Sequence, residues 1–240
     1  MNSFDLTTVL GTVSGCITGK TNPNMGSLKR EQAYQCLRDA ITFGRLKPGE
    51  KVIEETVSEM FGLGRTPLRE ALRQLEKEGF IDVFPNRGAV VRKISVEDLA
   101  QVYAVLAILE GYAVESAVGS MNPSVINELK RIEKELTRAA REKDFKKWLD
   151  HNALFHGIFQ QVSGNTVLSE SILNLRRRTY RYRALALSIP GHVEEYLADH
   201  RRILEAASEG KEEKASKAMR RHVQGAGRIL VNFLRENPWA

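Results

Sequence analysis

The sequence predicts a mainly α-helical protein in two parts, an N-terminal helix–turn–helix unit with a two-stranded wing and a C-terminal antiparallel bundle of six helices. Three observations support this fold class. Apolar residues recur at helical spacing along most of the 240 residues. Runs typical of strands occur only around residues 80–91. From Ser95 onward, turn residues divide the chain into six helical segments with short connections.

The composition divides the chain into three predicted regions. Residues 1–27 are rich in Thr, Ser, Gly and Asn without periodicity, which predicts a flexible leader, and they lack the basic start and apolar core of a signal peptide. Residues 28–93 hold the helix–turn–helix unit. Residues 94–236 hold the helical bundle.

The helix–turn–helix prediction rests on residues 54–79. A short helix is expected over residues 54–61, followed by a Gly-Leu-Gly turn. A second helix is expected to begin near Arg65, with Pro67 in its first turn, where a missing N–H costs little. Its inward face is marked by apolar residues at i, i+3, i+4 and i+7 spacing, namely Leu68, Ala71, Leu72 and Leu75.

The opposite face of this second helix is basic. It carries Arg65, Thr66, Arg69 and Arg73, and the wing tip adds Arg87 and Gly88. An α-helix fits the major groove of DNA, and arginine can donate two hydrogen bonds to guanine. A solvated basic face is the alternative, but the helix–turn–helix spacing and the basic wing favour DNA binding.

The runs GRTPLREAL, LEKEGFI and NRGAVV resemble the winged-helix domain of the GntR transcriptional regulators, over about residues 28–93. The resemblance implies that Arg65, Thr66 and Arg69 contact DNA from the helix, with Arg87 and Gly88 on the wing. Two positions depart from the family pattern. Gly64 replaces a Ser or Thr, which removes a helix cap, and residue 55 is Glu where some relatives have Arg.

The six helices of the second part are expected at about residues 95–120, 124–143, 144–162, 165–187, 192–208 and 211–236. On three of them one histidine lies on the inward stripe: His156, with Asn152 one turn before it, then His200 and His222. An inward histidine is usually a hydrogen-bonded core residue. Three of them, with an amide oxygen nearby, also fit convergence on one metal ion.

The runs HNALFHGIFQQVSGN and ADHRRILEAASEG resemble the FCD effector domain of the FadR-type subgroup, over about residues 97–233, and six helices resemble its VanR branch. The resemblance implies a divalent metal held by Asn152, His156, His200 and His222. Asn152 is a neutral ligand where others have Asp. Leu106 stands where many relatives have Arg, four residues before a Glu.

Three imidazoles and one amide oxygen would leave open coordination positions, and Zn²⁺, Ni²⁺ or Mn²⁺ suits such ligands. A small carboxylate metabolite could fill them. Five arginines crowd the helix at residues 165–187, and most are expected on a solvated face. Arg178 and Arg181 are predicted as the effector contacts.

These observations predict a cytoplasmic transcriptional regulator, a homodimer on an inverted-repeat DNA operator, controlled by a small acid bound near the metal. A metal-sensing regulator is the first alternative. A metal-dependent hydrolase is the second; it is disfavoured because Asp199, the carboxylate nearest the histidines in sequence, is expected to point away from them. The protein is therefore predicted not to be an enzyme.

Composition agrees with this interpretation. The net charge of +6 is spread along the chain and is weak evidence for nucleic acid. Because no run of about 18 apolar residues is present, no membrane partner is expected. Cys16 and Cys36 show no spacing typical of a disulfide framework or a metal motif, which fits a reducing, cytoplasmic setting.

Overall fold

The computed structural model describes residues 26–84 and 88–237, and the chain divides into two compact units after Ile94. The described residues of unit 1 form three helices and one three-stranded sheet. Those of unit 2 form six helices. The predicted fold class, mainly α with a winged helix–turn–helix followed by a six-helix bundle, is confirmed.

The helices of unit 1 follow the pattern of apolar and turn residues. Helix α1 (Gly26–Thr42) starts two residues inside the predicted leader. Helix α2 (Glu54–Phe61) ends at Gly62, whose left-handed backbone (φ 61°) closes the turn. Helix α3 (Arg65–Lys77) buries the whole predicted stripe, Leu68, Ala71, Leu72 and Leu75. The rest of the predicted leader, residues 1–25, lies outside the described residues.

The sheet of unit 1 has one strand more than predicted. Strands β1 (Lys51–Val52), β2 (Ile81–Phe84) and β3 (Gly88–Val91) are antiparallel, in the order β1-β3-β2. Strand β1 has only two residues, too few to show an alternating pattern, and it exists because β3 offers it a free edge. The residues between β2 and β3, numbered 85–87, lie outside the described part of the chain, and so does the predicted contact Arg87.

Unit 2 consists of α4 (Val96–Val118), α5 (Pro123–Glu142), α6 (Phe145–Val162), α7 (Thr166–Ala186), α8 (His192–Ser208) and α9 (Glu212–Glu236). Side-chain oxygens cap four of these helices. Ser95 accepts a hydrogen bond from the amide of Asp98 at 2.9 Å. Asn122, Asp144 and Asn165 each accept one from the amide three residues later at 3.0 Å. These caps fix where each helix begins.

Helix α4 is the core helix of unit 2, and it packs most closely against α9. A Cβ atom built on Gly227 of α9 would lie 2.5 Å from the Cβ atom of Tyr103 on α4. Only a glycine therefore permits this approach of the two helices. Against the sequence-based expectation, α4 is long and apolar enough to span a membrane by length and composition alone. More than half of that stretch is buried inside the bundle, including Leu99, Leu106 and Val114.

The interpretation of Cys36 from the sequence needs one correction. Cys36 is buried in α1, but it is disulfide-bonded. Spacing alone did not indicate this bond. Cys16 lies outside the described residues.

We predict that Gly227→Ala destabilises unit 2 by about 1–3 kcal/mol, because the added methyl group meets a Cβ atom that only a backbone shift can move. Gly225→Ala on the same helix is the matched control, since nothing lies within 4 Å of its added methyl group. It should stabilise by about 0.5–1 kcal/mol through helix propensity. Denaturant unfolding at one protein concentration measures both, and equal effects of the two substitutions would contradict the prediction.

Candidate metal centre and nucleic-acid interface

The exposed face of α3 carries the predicted DNA contacts. Arg65, Thr66, Arg69 and Arg73 are all exposed, while the apolar stripe behind them is buried. Burial of that stripe fixes which way the arginines face, because side chains three and four residues apart share a helix face. The structure thus brings the four predicted residues to one surface.

One of these arginines already has a partner. The Nε of Arg69 donates to both carboxylate oxygens of Glu54 on α2, at 3.2 and 2.8 Å. Both side chains are largely exposed, 62% and 41%, so this ion pair contributes little stability and can open. No ion pair holds Arg65 or Arg73 among the described residues. These two are the more available cations of the surface.

The start of α3 and the wing support the same surface. Gly64 occupies the N-cap of α3 and offers no side-chain acceptor, so the first amide groups of the helix stay open to an anion such as phosphate. Gly88 opens β3 with a left-handed backbone (φ 79°) and is exposed. A glycine at this position lets the chain leave the wing tip without strain.

The second candidate site lies inside unit 2. His156 on α6, His200 on α8 and His222 on α9 are all buried, and one ring nitrogen of each lies within 4.8 Å of the others. The centroids of the His200 and His222 rings are 4.7 Å apart. The other two histidines, His151 and His192, do not belong to this cluster.

Several polar atoms of this cluster have no hydrogen-bond partner. Both ring nitrogens of His200, Nδ1 of His222 and Oδ1 of Asn152 are buried without one. Leaving such atoms unsatisfied costs free energy in a native protein, and a site of this kind calls for a ligand. Three imidazole nitrogens with one amide oxygen are donors that a divalent transition metal accepts. The residues present therefore fit a metal ion.

A buried carboxylate fixes the orientation of His156. Glu110 on α4 is 2% exposed and accepts a hydrogen bond from Nδ1 of His156. This leaves Nε2 of His156 as the nitrogen free to bind a metal. Glu110 also accepts two hydrogen bonds from Arg176 on α7, both at 2.7 Å. Burial by itself raises the pKa of Glu110. The opposing effects of Arg176 and then His156 are larger, so the pKa lies below its ordinary value and the carboxyl group is ionised.

Burial favours the neutral form of two of the imidazoles, those of His156 and His200. It lowers the pKa of His156 to about 3, with a further decrease from Arg176, opposed by Glu110. Burial, followed by the neighbouring His222 and His156, lowers the pKa of His200 well below its ordinary value. Neutral imidazole is the form that binds metals, so His156 and His200 need no deprotonation at neutral pH.

The sequence predicts that Asp199 on α8 points away from the histidines, but the structure places it beside the cluster. One of its oxygens lies 3.5 Å from Nδ1 of His222. Its other oxygen accepts a hydrogen bond from Arg202 at 2.7 Å. The imidazole of His222, ahead of the contribution of Arg202, lowers the pKa of Asp199. Asp199 thus lies within ion-pair distance of His222 and faces a ring nitrogen rather than open space.

A cavity of about 450 Å³, part of it open to solvent, adjoins the cluster. It is lined by Asn152, His156 and His222 together with Glu110, Arg176 and Arg183. Tyr196 and Trp148 also line it, and the Oη atom of Tyr196 and Nε1 of Trp148 are buried without partners. The cavity thus holds cationic and neutral donors beside the imidazoles.

The two arginines predicted as effector contacts, Arg178 and Arg181, do not line this cavity. Arg178 is exposed, and Arg181 lies outside the lining. Arg176 and Arg183 take their place, because residues seven apart share a helix face whereas Arg178 is turned away from it. They continue the stripe of the buried residues Ile172 and Thr179, a signal that the sequence did contain.

Leu106 lines the cavity at the position where the sequence resemblance expects a cation. The cations instead come from α7, a different helix. Glu110, four residues after Leu106, is the functional residue that sequence reasoning passed over. Glu110 is buried beside His156 of α6 and Arg176 of α7. This depends on the packing of three helices, which no local sequence pattern reveals.

Comparison with known proteins agrees with both units. Residues 29–91 match the family described as bacterial regulatory proteins, gntR family, and residues 101–225 match the FCD domain. The HTH-type transcriptional repressor RspR of Escherichia coli is 28% identical over 226 residues, which are 92% of this chain and 97% of RspR. The uncharacterized regulator YdhC of Bacillus subtilis is 27% identical over 209 residues, covering 85% of this chain and 92% of YdhC.

Solved structures share the fold. E. coli McbR/YncC superposes with a TM-score of 0.72 at 24% sequence identity, covering 87% of this chain and 99% of that one. A putative GntR regulator from Rhodococcus sp. RHA1 gives a TM-score of 0.66 at 20% identity, covering 85% and 98%.

We predict that Glu110→Gln destabilises the protein by roughly 3 kcal/mol, because it leaves the buried guanidinium of Arg176 without its anion. The control is Glu128→Gln, which removes a carboxylate from an exposed pair with Arg131 and should change nothing measurable. Denaturant unfolding in the presence of a chelator, at neutral pH, measures the difference without a contribution from metal. Similar midpoints for the two variants would show that the Glu110 contacts do not stabilise the fold.

Proposed function

Because the chain belongs to the GntR family of DNA-binding transcriptional regulators and carries an FCD domain, we propose that a small carboxylic acid controls its binding to DNA. The acid would bind in the cavity of unit 2, beside a divalent transition metal. One observation carries the proposal. Two of the three clustered imidazoles, those of His156 and His222, line the same partly enclosed space as unpaired arginine donors, so a cation and an anion can both bind there.

The DNA-binding half of the proposal rests on α3. Arg65 and Arg73 are exposed and without an ion pair among the described residues, and the pair between Arg69 and Glu54 is weak enough to exchange for phosphate or base. Thr66 and the open amide groups after Gly64 suit a phosphate. The wing would add Gly88 and Arg87. A protein with such a partner acts in the cytoplasm.

We infer that the DNA-binding species is a homodimer on an inverted repeat. Helix α4 exposes Val105, Ile108 and Tyr112, at 48%, 56% and 50%, and their spacing puts them on one face. Large apolar side chains in one stripe are typical of a surface that another chain covers. Two copies related by a two-fold axis present identical α3 helices and need two matching half-sites.

His156, His200, His222 and Asn152 would hold the metal, and Zn²⁺, Ni²⁺ and Mn²⁺ suit these donors. When bound, the ion supplies positive charge and open coordination positions. Glu110 holds the ring of His156 in place through a hydrogen bond to Nδ1, and Asp199 lies 3.5 Å from Nδ1 of His222. Asn152 is neutral, so it contributes less charge to the site than an Asp would.

The anion would be held by this chain's own donors as well as by the ion. The Nη1 atom of Arg176 is buried and unpaired, although the rest of the guanidinium binds Glu110. The Oη atom of Tyr196 is a second free donor in the cavity. A carboxylate satisfies both donors. These free donors favour an acid effector over a regulator that senses the metal alone, and they are not the general base that a hydrolase needs.

The first prediction tests the DNA surface. Arg65→Ala should weaken binding to the specific operator by about 1–3 kcal/mol without unfolding the protein, because an exposed recognition-helix arginine is lost. Arg131→Ala, an exposed arginine of unit 2, is the control and should bind normally. Gel shifts and circular dichroism measure affinity and folding. Unchanged affinity in Arg65→Ala, or a footprint over a single asymmetric site, would contradict this part of the proposal.

The second prediction tests the effector site. Adding small carboxylic acids should change operator affinity for the metal-loaded wild type and for His151→Ala. His200→Ala should bind far less metal by elemental analysis, melt at a lower temperature in metal-replete buffer, and lose the response to acid. Asn152→Asp should hold the metal more tightly, since a carboxylate replaces an amide.

The outcomes distinguish the alternatives. If added metal alone changes operator affinity and acids have no effect, the protein is a metal sensor. If neither metal nor acid binds, the histidine cluster is a structural feature of the core and the proposal fails.

A further inference from the structure

Two arginines line the cavity of unit 2, but only one of them has an anion. Arg176 donates from Nε and Nη2 to the carboxylate of Glu110, at 2.7 Å each. The Nε and Nη1 atoms of Arg183 are buried with no hydrogen-bond partner. No carboxylate forms an ion pair with Arg183 anywhere in residues 26–84 and 88–237. The guanidinium of Arg183 lies 5.3 Å from the ring of Tyr180, which gives it only a weak cation–π contact.

Arg183 as a whole is half-buried, but a guanidinium with two buried nitrogens and no anion is costly to a folded protein. Burial, together with repulsion from Arg176, lowers the pKa of Arg183 to about 10, so the group remains charged at neutral pH. The other polar atoms of the cavity do not remove this cost, because the single carboxylate that lines it, that of Glu110, is already bound to Arg176 and His156. The environment of Arg183 therefore favours an anionic ligand.

The two arginines mark two ends of the cavity. They are seven residues apart on α7, which places their Cα atoms roughly 10 Å apart along one helix face. Arg176 is linked through Glu110 to His156 and so belongs to the end with the imidazoles. Arg183 lies two turns further along. Apolar side chains, among them Leu106 and Ala186, complete the lining.

We infer that Arg183 binds a second anionic group of the effector, and that the effector is therefore a short dicarboxylate with one carboxylate at the imidazole end and the other at Arg183. This inference rests on the proposed function, since it assumes that the cavity binds an acid. A monocarboxylate satisfies one end of the cavity and leaves Arg183 unpaired. A dicarboxylate satisfies both ends, and the apolar lining accommodates its methylene groups.

The test compares acids that differ only at one end. Succinate is paired with butyrate, and glutarate with valerate, so that a methyl group replaces one carboxylate at equal chain length. Binding to the metal-loaded full-length protein is measured by calorimetry for wild type, Arg183→Met and Arg178→Met. Arg178→Met removes the same charge from an exposed position of the same helix and is the matched control.

At least one dicarboxylate should bind the wild type about tenfold more tightly than its matched monocarboxylate, the effect of one charge-assisted hydrogen-bonded contact. Arg183→Met should remove this difference while the monocarboxylate keeps its affinity. Arg178→Met should behave as wild type. Equal binding of both members of each pair by the wild type overturns the inference but leaves the proposed function intact. If none of the four acids binds and small carboxylic acids leave operator affinity unchanged, the proposed function itself is overturned.

Melting temperatures measured without acid distinguish a ligand-binding role of Arg183 from a purely structural one. Because its charge lacks an anion, Arg183→Met should melt at the same or a higher temperature than wild type in acid-free buffer. Arg176→Met should melt at a lower temperature, since it leaves the buried carboxylate of Glu110 without its cation. A clear decrease in the melting temperature of Arg183→Met, or loss of butyrate binding in that variant, would assign Arg183 to the fold and overturn the inference.

Discussion

The buried carboxylate of Glu110 is the constraint on which the rest of unit 2 depends. It joins three helices, because α4 supplies the carboxylate, α6 supplies His156 and α7 supplies Arg176. A buried charge is tolerated only where partners satisfy it, so the positions of these helices are specified by polar contacts as well as by apolar packing. The close approach of α9 to α4 at Gly227 then brings His222 to the same region.

This arrangement converts an internal polar network into a binding site. Glu110 accepts hydrogen bonds from Nδ1 of His156 and from two nitrogens of Arg176. The other ring nitrogen of His156 and Nη1 of Arg176 are left for a ligand in the cavity that both residues line. Burial favours the neutral form of His156 and His200. A site assembled this way suits a cation beside the imidazoles and an anion beside Arg183. A ligand that supplies both charges stabilises the folded unit through the same contacts that hold its helices together.

Unit 1 depends on a simpler constraint, the amphipathic division of α3. Four buried apolar residues fix the helix against its neighbours, and the polar residues between them are left to face outward. The exposed ion pair of Arg69 with Glu54 shows that an acidic neighbour on α2 neutralises part of the positive charge of this outward face. Binding to a polyanion exchanges such weak pairs for stronger ones, which makes affinity sensitive to salt as well as to sequence.

The sequence by itself determined what is local. It determined the helix ends, through caps such as Ser95 and breaks such as Gly62, the basic face of α3, and the inward stripes that carry His156, His200 and His222. These features follow from helical periodicity and turn chemistry within a few residues. Only the tertiary structure decided which of five neighbouring arginines face the cavity, and that Glu110 is the buried counter-charge of Arg176. It also decided that Asp199 turns toward His222 and that residues 51–52 add a third strand. Each of these depends on a partner distant in sequence, and a polar side chain on an amphipathic helix has no local signal that tells solvent from a buried ion pair.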